Sequence, residues 1–144
     1  MKIAVIHDYA DALRNTAAYP KLKAAGHEVN IFNDAYLDPA RVVEQVKGHD
    51  VLLLTQQRVV ITAQILDQLP QLKFISQTGR NVSHLDVKAC TAFGIPLLFT
   101  PGVNHTTVAE HCFLLLLALE KNFLFHTDST RSGGWKRRTG PTLR

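Results

Sequence analysis

Two stretches of this sequence combine backbone freedom with hydrogen-bonding side chains in a way that suits an anionic ligand. The first is SQTGRNVSHLD, residues 76–86, which follows apolar Phe74-Ile75 and precedes the helix-like DVKACTAFG. Gly79 can take a backbone shape other residues avoid, which leaves neighbouring N–H groups free to point outward. A carboxylate or phosphate suits such groups, and Arg80 adds a fixed charge. An ordinary turn with a solvated arginine fits the same residues. The second stretch is NHTTVAEH, residues 104–111. Thr107-Val108-Ala109-Glu110 has the spacing of a capping box, the hydroxyl accepting from the third helical amide and the Glu reaching back. That structural role accounts for Thr107 and Glu110 and leaves Asn104 and Thr106 over. A helix N-terminus is also a favourable place for an anion.

Other candidates are weaker. His7 follows a strand-like run, and His84 and His111 stand at helix starts. With no partner identifiable in sequence, each reads as structural or solvated. Asp8 and Asp11 suggest a phospho-acceptor pocket, but that needs an acid after the third strand, and VLLLTQQ has none. A flavodoxin-type phosphate loop needs a Ser/Thr/Gly-rich turn after the first strand, which HDYADAL is not. Cys90 and Cys112 form no disulfide framework and no metal-ligand spacing, so no metal is expected.

Five apolar runs must position these groups: Lys2–Ile6, Glu28–Phe32, Val51–Leu54, Lys73–Ser76 and Pro96–Phe99. They do not alternate with polar residues, the pattern of strands covered on both faces in parallel sheets. Segments with helical spacing lie between them: Ala12–Ala25, Pro39–Val46, Thr62–Leu69 and Asp86–Phe93. Gly26, Gly48 and Gly94 stand where helices should end, and Asp38-Pro39 and Thr62 where helices should start. The alternation predicts an open, doubly wound α/β sheet whose ligands bind outside the C-terminal ends of the strands. Those ends are His7-Asp8-Tyr9, Asn33-Asp34, Thr55–Arg58, Thr78–Asn81 and Thr100–Asn104.

A longer helix is expected over 107–125. Apolar residues surround it almost completely, so it should be buried on all sides, which one small domain cannot provide. Another domain, another subunit or both are implied. Residues 126–144 are polar and Gly-rich, linker composition.

The bulk numbers narrow the function. The chain has 144 residues, 46% hydrophobic and 19% charged, which fits one globular domain. Its net charge is +4, but Arg131, Lys136, Arg137, Arg138 and Arg144 lie in a stretch with no acid. Removing those five of 16 bases leaves 11 against 12 acids, so the body is near neutral. A basic tail does not make a nucleic-acid binder, and none is expected. The N-terminal apolar run and CFLLLLALE are too short for a signal peptide or a membrane span. A reducing cytoplasm is the expected location.

The segment LPQLKFISQTGRNVSHLDVKACTAFGIPLLFTPGVNHTTVAEHCFLLLLAL resembles the D-isomer-specific 2-hydroxyacid dehydrogenases, among them phosphoglycerate, glycerate and formate dehydrogenases. The likeness runs from MKIAV to the Gly-Gly-Trp near residue 135. It is specific over 69–119: a Gly turn, an Asp starting a helix, a Gly ending it, then Pro-Gly-x-Asn-x-x-x-Val-Ala-Glu-His. The resemblance implies a flavodoxin-like, five-stranded parallel substrate domain with helices on both faces and a long C-terminal helix, over 1–125. Residues 126–144 would then lead into a Rossmann domain whose GxGxxG does not occur here.

The same resemblance implies NAD or NADP and a hydride moved to or from C2 of a small 2-hydroxy or 2-oxo acid. The family's catalytic Arg, Glu and His come from parts this sequence lacks, so no turnover and no tight cofactor binding are expected of it alone. By the resemblance, Gly79, Arg80, Asn81 and Val82 form the loop whose amides hold the substrate carboxylate and approach the nicotinamide. Asn104 corresponds to a substrate-touching Asn, and Thr107 to a Ser/Thr near the cofactor. Departures from the family pattern are Arg80, Asn81 and Gln56-Gln57, the last in place of a common Arg-Ser pair. The alternative is a non-enzymatic α/β module that self-associates or binds a small acid. A homodimer through helix 107–125, or a helix exchanged between protomers, is expected.

Overall fold

The computed structural model describes residues 1–34, 36, 38–100, 102 and 104–141. Pro101, Val103 and Arg144, invoked above, lie outside the described residues. Two compact units are present, Met1–Pro101 and Gly102–Arg144.

The first unit is built on β1 (Lys2–Ile6), β2 (Glu28–Ile31), β3 (Val51–Leu54), β4 (Phe74–Gln77) and β5 (Leu97–Phe99). All neighbours pair in parallel, in the order β2-β1-β3-β4-β5. This is the flavodoxin-like order, in which the winding direction reverses between β1 and β3. The helices are α1 (Ala18–Ala24), α2 (Pro39–Val46), α3 (Ala63–Asp67) and α4 (Val87–Ala92). Right-handed crossovers decide where they go. The β1-to-β2 step moves one way across the sheet and puts α1 on one face. The three later steps move the other way and put α2, α3 and α4 on the opposite face.

The two cores record this. Ile3, Val5, Val29 and Val51 pack with Tyr19 and Leu22 of α1. On the other face Ala4, Ile6, Leu52, Leu54 and Ile75 pack with Val42 and Val46 of α2, Ile65 and Leu66 of α3, and Ala89 and Cys90 of α4. Burial of both faces of the central strands explains why they read as apolar runs.

Local chemistry fixes the helix ends. Asp38 accepts from the Ala40 amide at 2.9 Å with Pro39 beginning α2, and Asp86 accepts from the Ala89 amide at 2.9 Å. Thr62 occupies the start of α3 but makes no side-chain cap. Gly26, Gly48 and Gly94 follow helices at φ of 77°, 82° and 67°, as their positions predict.

The expected helix Ala12–Ala25 is two pieces, a 3₁₀ turn Leu13–Asn15 and then α1. Pro20 is the reason. It has no N–H to give the Thr16 carbonyl and its ring excludes that carbonyl, so a helix can contain it only in its first turn.

The second unit holds α5 (His105–Glu120) and α6 (Phe123–Arg131), which pack on each other. The expected helix 107–125 therefore starts earlier and breaks at Asn122, whose φ of 52° is left-handed. Residues 126–131, linker-like in composition, belong to α6, so a boundary at 125/126 runs through a helix. No residue of α5 is buried; Phe113 is 64% exposed and Leu119 76%. The burial its composition calls for is not met within the described residues. No described helix is long and apolar enough to cross a membrane.

Candidate functional site

The C-terminal ends of β1, β3 and β4 lie side by side, and candidate residues stand just beyond them. After β4 the chain turns at Gly79 with φ of 86°. The Thr78 amide still donates to the Leu54 carbonyl at 2.9 Å, and the Thr78 hydroxyl donates to the Thr55 carbonyl at 3.0 Å. Beyond that anchor the ladder stops. The amides of Gly79, Arg80, Asn81 and Val82 donate to no described residue.

Side chains hold this loop from the far side. The Asn81 amide donates to Gln57 Oε1 at 2.9 Å, and Asn81 Oδ1 accepts from the Ser83 amide at 3.0 Å. Gln57 after β3 and Asn81 after β4 thus fasten adjacent loops together. Val82 packs against the core below, and Arg80 is exposed. A turn held by side chains, with consecutive amides that no described residue claims, offers donors of the kind a carboxylate accepts from. An added Cβ at Gly79 would meet nothing within 4 Å, so the glycine is needed for its φ and not for space.

Beside this turn, at the point where the sheet order reverses, lies a cavity of about 240 Å³. Asp8 and Tyr9 after β1, Leu13, Thr55 and Gln56 after β3, and Thr78 border it. Asp8 shapes one wall: its two carboxylate oxygens accept from the amides of Ala12 at 2.8 Å and Leu13 at 2.9 Å. The Asn33 side chain donates to the Asp8 carbonyl at 2.6 Å and to Asp11 at 3.3 Å. Arg58 lies 5.3 Å above the Tyr9 ring.

His7 stands at the head of this loop, fully buried and at φ of 62°. Neither ring nitrogen has a described partner, and its ring meets Tyr36 edge-on at 4.8 Å. Burial, and then the charge of Arg58, push its pKa below 6.5. Burial first, and then Asp34, push Tyr36 up to about 12. The Tyr36 hydroxyl donates to Gln45 Oε1. The structure places His7 and Asp8 just beyond the C-terminal end of β1, as the reading of strand ends expects, with no described partner for the His7 ring nitrogens. The signal that locates this cavity is the reversal between β1 and β3, which becomes visible only when strand order is known.

In the second unit Asn104 caps the start of α5 with its carbonyl, which accepts from the Val108 amide at 2.9 Å; its side chain makes no cap. His105 Nδ1 lies 3.2 Å from the Gly102 carbonyl. Thr107 is the third helical residue, so the capping box over Thr107–Glu110 does not form. A box needs Thr107 outside the helix with extended backbone, and the helix gains three hydrogen bonds by starting three residues sooner. Asn104, Thr107, Val108, His111 and Cys112 line a concavity of about 330 Å³. Gly79–Val82 thus stand together on one turn in the first unit, and Asn104 and Thr107 line one concavity in the second.

Comparison with known proteins agrees with this architecture. The family model "D-isomer specific 2-hydroxyacid dehydrogenase, catalytic domain" matches residues 4–134. A glyoxylate reductase of Thermococcus litoralis is 31% identical over 114 residues, 77% of this chain and 34% of that protein. A D-3-phosphoglycerate dehydrogenase of Methanocaldococcus jannaschii is 30% identical over 102 residues, 71% of this chain and 19% of that protein. Among solved structures, a phosphoglycerate oxidoreductase of Vibrio cholerae superposes with a TM-score of 0.79 at 34% identity, over 99% of this chain and 45% of that one. This chain spans about a third or less of the length of those two curated relatives. With the parallel sheet and its strand order, these matches place the chain in the D-isomer-specific 2-hydroxyacid dehydrogenase family, within its catalytic domain.

Proposed function

We propose that this chain is the substrate-domain portion of an NAD(P)-dependent oxidoreductase acting on the CH–OH group of a D-2-hydroxy acid, with 2-oxo acid reduction as the reverse, and that it does not turn over alone. The observation that carries the reading is the Gly79 turn, whose amides no described residue claims, in a chain of this family. The amides of Gly79–Val82 hold the substrate carboxylate, and Arg80 adds attraction from the rim. Two or more fixed donors orient the carboxylate plane, which fixes the face of C2 that reacts. In the second unit Asn104, whose side chain makes no helix cap, offers a donor suited to an acid. Thr107, in its concavity, meets the cofactor. NAD or NADP, when bound, takes or gives the hydride at C2. Orientation of the acid is this chain's share of the reaction.

Two measurements test this. The purified chain, mixed with NADH and glyoxylate or hydroxypyruvate, is expected to oxidise no NADH above the uncatalysed rate; turnover would overturn the claim that it is incompetent alone. Amide NMR with a 2-oxo acid is expected to shift Gly79–Val82, and silence there would overturn the site.

A homodimer through α5 is part of the proposal. Phe113, Leu114, Leu117 and Leu119 are all more than two-fifths exposed, an apolar surface that water disfavours. Light scattering at high micromolar concentration is expected to give the mass of two chains, and a strictly monomeric mass would overturn it.

A further inference from the structure

The tail of the second unit is seated, and its seat makes a cavity. After α6 the chain turns at Gly133, at φ of 75°, and runs back along the helix. The Gly134 amide donates to the Ser129 carbonyl at 2.8 Å, and the Lys136 amide to Ser129 Oγ at 3.0 Å. His126 Nε2 lies 2.8 Å from the Arg138 carbonyl, and Lys121 Nζ donates to the Pro141 carbonyl. The partners step back from Ser129 to Lys121 as the tail advances from Gly134 to Pro141, so the two segments run antiparallel. A Cβ at Gly140 would stand 1.6 Å from the Glu120 carbonyl oxygen, so only glycine fits there. A segment with linker composition is thus fixed backbone, and Trp135, Lys136 and Arg137 are held between its anchors at Gly134 and Arg138.

His126 and Thr130 of α6 and Trp135, Lys136 and Arg137 of the tail line a cavity of about 310 Å³. Three kinds of chemistry meet in it. Lys136 and Arg137 are cations, no lining residue is an acid, and neither cation forms an ion pair among the described residues. Trp135 is 86% exposed, so most of its indole is open to stacking. His126 and Thr130 supply acceptors. The Arg138 carbonyl can only accept, so a neutral His126 ring carries its proton on Nε2 and keeps a lone pair on Nδ1. The Thr130 hydroxyl donates to the His126 carbonyl at 2.9 Å and keeps its own lone pairs.

A ligand that answers all three carries a strongly anionic group, a flat aromatic face and N–H or O–H donors. A nucleoside monophosphate has each of them. Its phosphate suits the two cations, its base suits the indole, and its amino and ribose hydroxyl groups suit the acceptors. Inorganic phosphate would leave the indole and the acceptors unmet, and an uncharged aromatic would leave the cations unmet. Ligand pockets run from roughly 300 to 1,000 Å³, so this one, at their lower end, holds one nucleotide and not two joined.

We infer that the cavity between α6 and the tail is a binding site for a nucleoside monophosphate, with the base stacked on Trp135 and the phosphate on Lys136 and Arg137. It shares no residue with the Gly79 turn or with the concavity at Thr107.

Trp135 is the one tryptophan of the chain, so its emission reports on this site alone. Titrating the 144-residue chain with AMP at low, matched ionic strength is expected to quench that emission saturably and to shift the amides of Thr130, Lys136 and Arg137. Adenosine and ribose 5-phosphate, each lacking one of the two main groups, are expected to bind at least about tenfold more weakly. The double variant Lys136→Ala, Arg137→Ala changes exposed side chains and keeps the backbone anchors. It is expected to bind AMP at least about tenfold more weakly with an unchanged circular dichroism spectrum. Arg137→Gln alone carries the same test at smaller amplitude. Absence of saturable quenching by AMP overturns the inference, as does unchanged affinity in the charge variants. Adenosine, inorganic phosphate or NAD binding as tightly as AMP overturns it as well, since each shows that the charge, the base or the single-nucleotide size does not decide.

Discussion

At the scale of single residues, two positions decide how this edge of the sheet behaves. Gly79 turns at φ of 86° with open space where a Cβ would go. Gly79→Ala therefore meets no clash and costs only backbone strain, about 1–2 kcal/mol. Urea unfolding checks that figure. The same variant is expected to lose its 2-oxo acid shifts at Arg80–Val82, because relieving the strain rotates the amides away. His7 is the second. It and His84 are buried with ring nitrogens that no described group partners, and burial lowers both pKa values from 6.5.

The unfolded chain protonates these histidines near 6.5 and the folded chain resists doing so. Their contribution to stability is thus complete above that pH and is lost as pH falls below it. The urea midpoint is expected to be flat from pH 8 to 7 and to fall toward pH 5. His7→Asn keeps a residue that tolerates left-handed backbone and removes one titrating group, so it should flatten that slope. A slope unchanged in His7→Asn would show that His7 is not the group responsible. Glycine positions were legible because φ demands are local. The orphan state of His7 was not, since it depends on what Tyr36 and the neighbouring strands leave unoffered.

At the scale of elements, strands and helix ends followed from local patterns, and breaks inside helices followed from single residues. Pro20 was available to split 12–25, but periodicity over a longer window hid it. Asn122 broke the expected 107–125 helix because asparagine takes the left-handed conformation at modest cost. Asn122→Val, β-branched at φ of 52°, is expected to destabilise the α5–α6 pair by about 1–2 kcal/mol, and Asn122→Gly to leave it nearly unchanged. Thermal melts followed by far-UV circular dichroism separate the two. The box at Thr107 failed for a related reason: a motif fixes spacing but not which residue leaves the helix first, and Asn104 does so here.

At the scale of the molecule, the sheet order could be reached from sequence only through resemblance, because propensity does not say which strands pair. Once the order is known, the reversal between β1 and β3 selects the cavity without further input. The two units differ in how they are held. Interior residues of β1, β3 and β4 such as Ala4, Leu52 and Ile75 have no exposed surface, whereas α5 has no buried residue. Amide exchange is expected to be slowest in those strands and fast in α5 at low micromolar concentration, slowing in α5 as concentration rises and copies associate. Uniform protection across both units at every concentration would contradict this.

The position of β1 has a consequence for synthesis. It is made before the other four strands but lies inside the sheet, between β2 and β3, and its Lys2 amide donates to Asp50 Oδ2 at 2.7 Å. Ile3 pairs with Val51, so about 50 residues separate the two halves of this ladder in the order of translation. At roughly 5–20 residues per second, β1 leaves the ribosome several seconds before its second partner exists. Through that interval the apolar run KIAVI has one finished neighbour at most. The growing chain must keep that run from pairing with anything else until residue 54 has emerged.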